Sequence, residues 1–389
     1  MRPAARVQAA IEILDQVIAA AREGGPPADA LVRDYFRTRR YAGSKDRRAV
    51  REHVFAAIRR HAEPPADGRA AMLGLARDET ALRDLFDGSE HGPAPIEATE
   101  QVPVAGIVPD WIAARLSPLV EESEHAALID RAPLDLRVNL AKADRDQVRA
   151  DLGGERTPLS PWGLRLATGT PVEGSEAFKS GAVEIQDEAS QLVALVCAPR
   201  AGETLLDLCA GAGGKALALA AAEPDARIVA SDVDKRRLGQ LGPRALRAGA
   251  EIETLLLDPP REAEALMHYR EQFDCVLVDA PCSGSGTWRR SPELRWRLTP
   301  ERLDDLVATQ ERVLELAAPL VRPGGRLVYA VCSLIDAEGT TQLERFLSAH
   351  SSFVAKDIFE FGRGSAGGRL LTPGHDGTDG FFVARLEKS

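Results

Sequence analysis

From residue 187 onward the chain alternates short apolar runs with helix-patterned stretches. This alternation limits the fold more than any other feature, because such repeats close as parallel strands with helices on both faces of a sheet. Five runs carry the pattern: Thr204-Leu-Leu-Asp-Leu208, Ala226-Arg-Ile-Val-Ala-Ser231, Ile252-Glu-Thr-Leu-Leu-Leu257, Phe273-Asp-Cys-Val-Leu-Val278 and Gly325-Arg-Leu-Val-Tyr-Ala330. The expected core is α/β, a Rossmann-like, doubly wound, mostly parallel sheet. In such a sheet ligands bind beyond the carboxyl ends of the strands. The residues just after each run therefore decide the chemistry.

A glycine loop comes after the first run: Cys209, Ala210, Gly211, Ala212, Gly213, Gly214 and Lys215. Glycines let the backbone approach a ligand, and the next helix offers its N-terminus. The loop is not a Walker loop, since its spacing differs and no Ser or Thr follows Lys215; nor is it Gly-x-Gly-x-x-Gly. The second run ends at Asp232, about 20 residues on, where a carboxylate can take a ribose diol. The third ends at Asp258, placed to reach an adenine edge. Three strand ends in register point to an adenosyl ligand. With no second phosphate-binding feature, S-adenosylmethionine fits better than NAD. Asp258-Pro-Pro260 also invites comparison with amino-group methyltransferases, but Arg261 follows where those enzymes place an aromatic.

The fourth run ends in Asp279-Ala-Pro-Cys-Ser-Gly-Ser-Gly286, and the fifth in Val331-Cys-Ser333. Both thiols should face the crevice. Carbon 5 of cytosine is a poor nucleophile until a thiolate adds to carbon 6. An ordinary thiol titrates near ~8.5 and needs positive surroundings to ionise; Lys215 and the cofactor sulfonium would supply them. Asp279 would bind the amino and ring-nitrogen edge of the base. Spacing alone leaves open whether Cys282 or Cys332 is the nucleophile. Cys197, Cys275 and Cys209 read as buried apolar residues.

Ahead of the sheet, residues 5–90 have helical periodicity, with Ser44 placed as an N-cap. Residues 134–140, 162–167 and 182–185 read as strands around a helix at 144–152. The 389 residues thus divide into 1–130, 131–185 and 186–389. Net charge is −10, yet ten Lys and Arg between Arg33 and Arg60 meet only Asp34, Asp46 and Glu52. Local patches rather than net charge attract phosphates. A second basic stretch, Trp288-Arg-Arg-Ser-Pro-Glu-Leu-Arg-Trp-Arg297, interleaves tryptophans and reads as a nucleic-acid contact. Arg2, Arg6, Glu12 and Asp15 exclude a secretory leader, and no run suggests a membrane span. Five cysteines without Cys-x-x-Cys spacing suggest reduced thiols, no metal and a cytoplasmic protein.

These motifs resemble the Sun/Nop family of RNA cytosine-5 methyltransferases. The resemblance rests on Phe178-Lys-Ser-Gly-Ala-Val-Glu-Ile-Gln-Asp-Glu-Ala-Ser-Gln191, Asp207-Leu-Cys-Ala-Gly-Ala-Gly-Gly-Lys215, Asp279-Ala-Pro-Cys-Ser-Gly284, Arg289-Arg-Ser-Pro-Glu293, Tyr329-Ala-Val-Cys-Ser333 and Asp376-Gly-Thr-Asp-Gly-Phe-Phe382. It implies an all-α NusB-like RNA-binding domain over residues 1–130, a small RRM-like α+β module over 131–185, and a methyltransferase core. It also implies ribosomal RNA as partner, Cys332 as covalent nucleophile, Cys282 as the thiol that assists product release, and a monomer. A transfer-RNA enzyme, or an RNA-binding assembly factor that kept the fold, are the alternatives. The family carries Pro and Thr where this chain has Ala212 and Ala216, and Thr where it has Val331, which predicts a looser cofactor loop and one fewer hydroxyl beside Cys332.

Overall fold

The computed structural model describes residues 1–356 and 360–389. It divides into two compact units: Met1–Arg115 with His125–Asp130 and Thr287–Pro300, and Leu116–Glu124 with Arg131–Gly286 and Glu301–Ser389.

The first unit is helical. Its principal helices are α1 (Pro3–Glu23), α2 (Ala28–Arg37), α3 (Ser44–Arg60) and α4 (Gly68–Ala76). In α1, Val7, Ile11, Leu14 and Ile18 recur at three- and four-residue spacing and are all buried, as an amphipathic helix requires. Ser44 is the first helical residue of α3 rather than its N-cap. Gly43 occupies the cap, and the Asp46 carboxylate accepts from its N–H at 3.2 Å. Asp46 also meets the Met1 ammonium at 3.0 Å and Arg6 at 2.8 Å, pinning the N-terminus to α3. Trp296 belongs to this hydrophobic core. Residues 287–300 therefore depart from the sequence-based boundary that placed them with the sheet: their tryptophan buries its apolar surface among helices.

The second unit opens with the small module. Strands β1 (Leu134–Val138), β2 (Glu155–Arg156), β3 (Gly163–Leu166) and β4 (Val183–Ile185) alternate with helices α5 (Arg145–Leu152) and α6 (Glu176–Lys179). The strand order is β2-β3-β1-β4, with every pairing antiparallel. This is the split β-α-β arrangement expected of an RRM-like module. The helix that follows, α7 (Glu188–Cys197), joins module to core. Glu188 accepts from the amides of Leu159 (2.6 Å) and Ser160 (2.7 Å), and Gln191 donates to the Leu136 carbonyl at 3.2 Å.

The main sheet has the order β11-β12-β13-β9-β8-β5-β6-β7. Strands β5 (Thr204–Asp207), β6 (Arg227–Asp232), β7 (Ile252–Leu256), β8 (Phe273–Asp279) and β9 (Val321–Val331) run parallel. Strand order reverses between β5 and β8, which puts the ligand crevice at their carboxyl ends. The last residues extend the sheet with antiparallel strands that sequence periodicity had not separated: β10 (Phe353–Ala355), β11 (Arg363–Ser365), β12 (Gly368–Leu371) and β13 (Phe381–Lys388). β13 pairs along β9, Phe382 opposite Val331. β9 thus has neighbours on both sides and delivers Cys332 from the sheet interior. Among the described residues no helix is long and apolar enough to cross a membrane.

Candidate active site

Asp279 and Ala330 are register partners on β8 and β9, so the chain leaves the sheet twice at one level. The Ala280 amide donates to the Ala330 carbonyl at 3.0 Å and keeps the two exits together. Cys282 and Cys332 come next along the two exits. Their sulfurs lie 3.3 Å apart and both residues are partly buried. The hydrogen bond to Cys332, and then burial, push the Cys282 thiol well up. Either sulfur can donate across this contact. Cys197 and Cys275 are buried as expected, and burial pushes the Cys209 thiol up.

Lys215 enters from helix α8 (Gly214–Ala222). Its Nζ stands 2.6 Å from Asp279 Oδ2 and 5.1 Å from the centre of the Phe381 ring. Burial pulls its pKa down, but the Asp279 carboxylate outweighs burial and the ammonium ends raised. Cys332 is also within electrostatic reach of this ammonium. A fixed positive charge thus stands within reach of the Cys332 sulfur.

Asp207, at the end of β5, is a site residue that the sequence reading did not single out. It is fully buried, and neither carboxylate oxygen has a hydrogen-bond partner. The Ala216 amide leans toward it without reaching hydrogen-bond geometry. Burial, and then the charge of Asp279, lift its carboxyl to about 7. An acid embedded among Leu205, Leu206 and Leu208 was the one signal in the sequence.

The glycine loop is tightly braced. Gly211 and Gly213 take φ of +56° and +80°, values that ordinary side chains resist. Asp232 Oδ2 accepts from the Gly211 amide at 2.7 Å, and Oδ1 accepts from the Asp234 amide at 2.7 Å. The Ala210 amide donates to the Ser231 carbonyl at 2.8 Å. Ala212 does not leave the loop slack. Arg244, on helix α9 (Leu241–Ala248), donates to its carbonyl at 2.6 Å and is held by Glu184 of β4 at 3.0 Å. Gln186 donates to the Gly214 carbonyl at 3.2 Å and accepts from the buried Arg137 at 2.7 Å. The small module therefore supports the loop, which no local motif disclosed. Asp258 differs from expectation. Its carboxylate is 66% exposed and paired with Arg261 on the edge turn after β7. Reaching an adenine would require that pair to part.

The basic stretches also divide. Trp288, Arg289, Arg295 and Trp296 are all buried, which corrects their reading as a nucleic-acid contact. Arg295 donates to the carbonyls of Ile58 (2.6 Å) and Arg59 (2.8 Å), satisfying groups that the end of α3 leaves open. The Trp296 indole donates to the His61 carbonyl at 2.8 Å. Of the other cluster, Arg59 turns inward to the Ile129 carbonyl at 3.0 Å, while Arg40, Lys45 and Arg48 stay exposed around Tyr41, itself 74% exposed.

A sequence model of the family described as 16S rRNA methyltransferase RsmB/F matches residues 194–387. Ribosomal RNA small subunit methyltransferase B of Xylella fastidiosa is 37% identical over 289 residues, 72% of this chain and 67% of that protein. The protein of that name from Pasteurella multocida is 34% identical over 295 residues, 72% of this chain and 65% of that one. The chain thus spans about two thirds of the length of these curated relatives. Among solved structures, PH0851 superposes with a TM-score of 0.76 at 26% identity, covering 98% of this chain and 99% of that one. A methyltransferase homolog from Pyrococcus horikoshii gives 0.60 at 26% identity, covering 68% and 90%.

Proposed function

We propose that this chain, which belongs to the 16S rRNA methyltransferase RsmB/F family, methylates carbon 5 of a cytosine in RNA, with S-adenosylmethionine as donor and 16S ribosomal RNA as substrate. The observation that carries the reading is the pair of thiols 3.3 Å apart beside the Lys215–Asp279 ion pair. Methylation by covalent activation needs a thiolate to add to carbon 6 and, after methyl transfer, loss of the carbon 5 proton so that the thiolate can be expelled; a second thiol beside the first can assist that release.

The roles are those the family resemblance implies, and the position of Lys215 supports them. Cys332, near the Lys215 ammonium, adds to carbon 6. Cys282 assists breakdown of the adduct. Asp279 binds the amino edge of the base and keeps Lys215 in place. Once carbon 5 carries the methyl group, its proton leaves to solvent, and the Cys332–carbon 6 bond then breaks with its electron pair returning to sulfur.

The donor set suits the cofactor. Asp232 lies at the ribose position, Val233 beside it is 51% exposed as an apolar ledge for a base, and the glycine loop with the α8 N-terminus suits the methionine carboxylate. When bound, the cofactor supplies a methyl group on a sulfonium. The RNA path is proposed to include Arg40, Tyr41, Lys45 and Arg48: three charges for phosphates and one ring for a base. A ribosomal substrate implies a cytoplasmic protein.

The test is bisulfite mapping of ribosomal RNA with and without the protein, joined to denaturing gels of two variants with RNA and S-adenosylmethionine. One cytosine should lose protection when the protein is absent. Cys282→Ala should accumulate a protein–RNA adduct and Cys332→Ala none. The reverse gel pattern would exchange the two roles, and unchanged cytosines throughout would remove the activity.

A further inference from the structure

We infer that Glu338 is a positioning residue that clamps the two cysteine loops together and thereby sets the spacing of the thiols. It occupies the short turn Asp336–Glu338 after β9 and is completely buried. Its Oε1 accepts from the Ser283 amide at 2.8 Å and from Gln310 Nε2 at 2.9 Å. Its Oε2 accepts from the hydroxyls of Ser283 and Ser333, both at 2.5 Å. Ser283 follows Cys282 and Ser333 follows Cys332, so one carboxylate is bonded to the residue after each thiol.

Further contacts close the clamp. Gln310 also donates to the Pro281 carbonyl at 2.9 Å, gripping the Cys282 loop on the other side of its cysteine. Ser285 Oγ accepts from the Leu334 amide at 2.8 Å, and the Gly286 amide donates to the Cys332 carbonyl at 3.1 Å. Tyr329 fixes the turn by donating to the Glu338 carbonyl at 2.5 Å. A buried carboxylate is costly unless hydrogen-bonded, and here four donors meet two oxygens. Charge-assisted bonds of this kind are short and directional. They hold a geometry that apolar packing alone would leave adjustable. A displacement of about 1 Å between reacting groups can cost on the order of a hundredfold in rate.

The catalytic consequence rests on the methyl-transfer reading, but the geometric one does not, so the experiment reads both. Full-length protein is equilibrated with oxidised and reduced glutathione, and the Cys282–Cys332 disulfide is quantified by peptide mass spectrometry. Each disulfide formed converts one oxidised glutathione to two thiols. Glu338→Ala should lower the effective concentration of the pair at least tenfold, about 30 mV in its potential. The rate of adduct formation in a Cys282→Ala background should fall by a similar factor, with cofactor affinity unchanged.

Glu338→Gln should recover most of both. Its carbonyl oxygen can take the place of Oε1, and its amide nitrogen can donate to serine hydroxyls that turn to accept. Should Glu338→Ala not fold, Ser333→Ala and Glu338→Gln carry the comparison, Ser333→Ala reducing thiol pairing more than Glu338→Gln does. A folded Glu338→Ala with wild-type thiol pairing overturns the inference. If Cys282→Ala protein forms no adduct with RNA while thiol pairing in the protein with both cysteines still depends on Glu338, the methylation reading fails and the clamp stands.

Discussion

Trp296→Ala separates two roles for residues 288–297. Trp296 is 5% exposed, packs in the helical core and donates its indole N–H to the His61 carbonyl. Truncating a buried tryptophan to alanine costs about 3–5 kcal/mol. A helical unit of roughly 130 residues has an unfolding entropy near 0.3 kcal/mol/K, so its transition should fall by roughly 10–20 °C. Differential scanning calorimetry of the full chain reads this directly. RNA affinity measured below the lowered transition should stay within about twofold, since a buried indole offers no face to a base. The reasoning is refuted if the transition moves by only 2–3 °C, roughly the scale of a minor surface change, while RNA affinity drops tenfold. The same geometry argues against deleting residues 1–90 to test RNA binding. That deletion removes the carbonyl partners of Arg295 and Trp296 and would unfold what remains of the unit.

Asp207→Asn should change how stability depends on pH. A carboxyl raised from 3.8 to about 7 in the folded state binds more protons folded than unfolded, so it erodes stability as pH rises through that window and no further above it. The variant should therefore gain on the wild type between pH 4 and pH 7, by at most about 4 kcal/mol, in urea titrations; a pH-independent difference would show that Asp207 is ionised throughout. Arg244→Ala should free the Ala212 carbonyl and weaken S-adenosylmethionine binding by about 1–1.5 kcal/mol in calorimetry, with kcat at saturating cofactor nearly unchanged; unaltered affinity would mean the loop holds itself. Tyr41→Ala should weaken binding of single-stranded RNA by roughly 1–3 kcal/mol with an unchanged salt slope. Lys45→Ala with Arg48→Ala should instead flatten that slope by about 1.4 to 1.8, and no change in either variant would move the RNA path elsewhere.

What the sequence disclosed was what is local. Runs such as Phe273-Asp-Cys-Val-Leu-Val278 are buried on both faces, so they read as unbroken apolar strands and their exits could be located from spacing. The glycine loop, Lys215, Asp232 and both thiols lie at such exits. What it did not disclose depends on partners distant in the chain. Glu338 is an ordinary acid in a polar turn until Ser283 and Gln310 arrive from 55 and 28 residues away. Arg295 and Trp296 have the composition of an RNA contact, yet an arginine that caps a helix end and a tryptophan that fills a core are the same letters. Asp258 follows its strand as Asp232 does, but β7 is the edge strand, and its carboxylate is exposed and paired with Arg261.

Four carboxylates lie at or behind the crevice, Asp207, Asp232, Asp279 and Glu338, and each is accommodated by a different means. Asp232 accepts backbone amides, Glu338 takes four neutral donors, Asp279 pairs with Lys215, and Asp207 has no partner and is lifted toward neutral pH. Only one of the four is matched by a full positive charge, so the site remains electronegative where a methyl donor would sit. A sulfonium is favoured in such a field, while the neutral thioether left after transfer is not. The same charge distribution that draws the donor in would thus weaken the hold on the spent product. Asp279 keeps the Lys215 ammonium protonated and in place, within electrostatic reach of Cys332. On the proposed reaction the acids form one arrangement: Asp232 would face the donor, while the Lys215–Asp279 pair sets one fixed cation within electrostatic reach of Cys332.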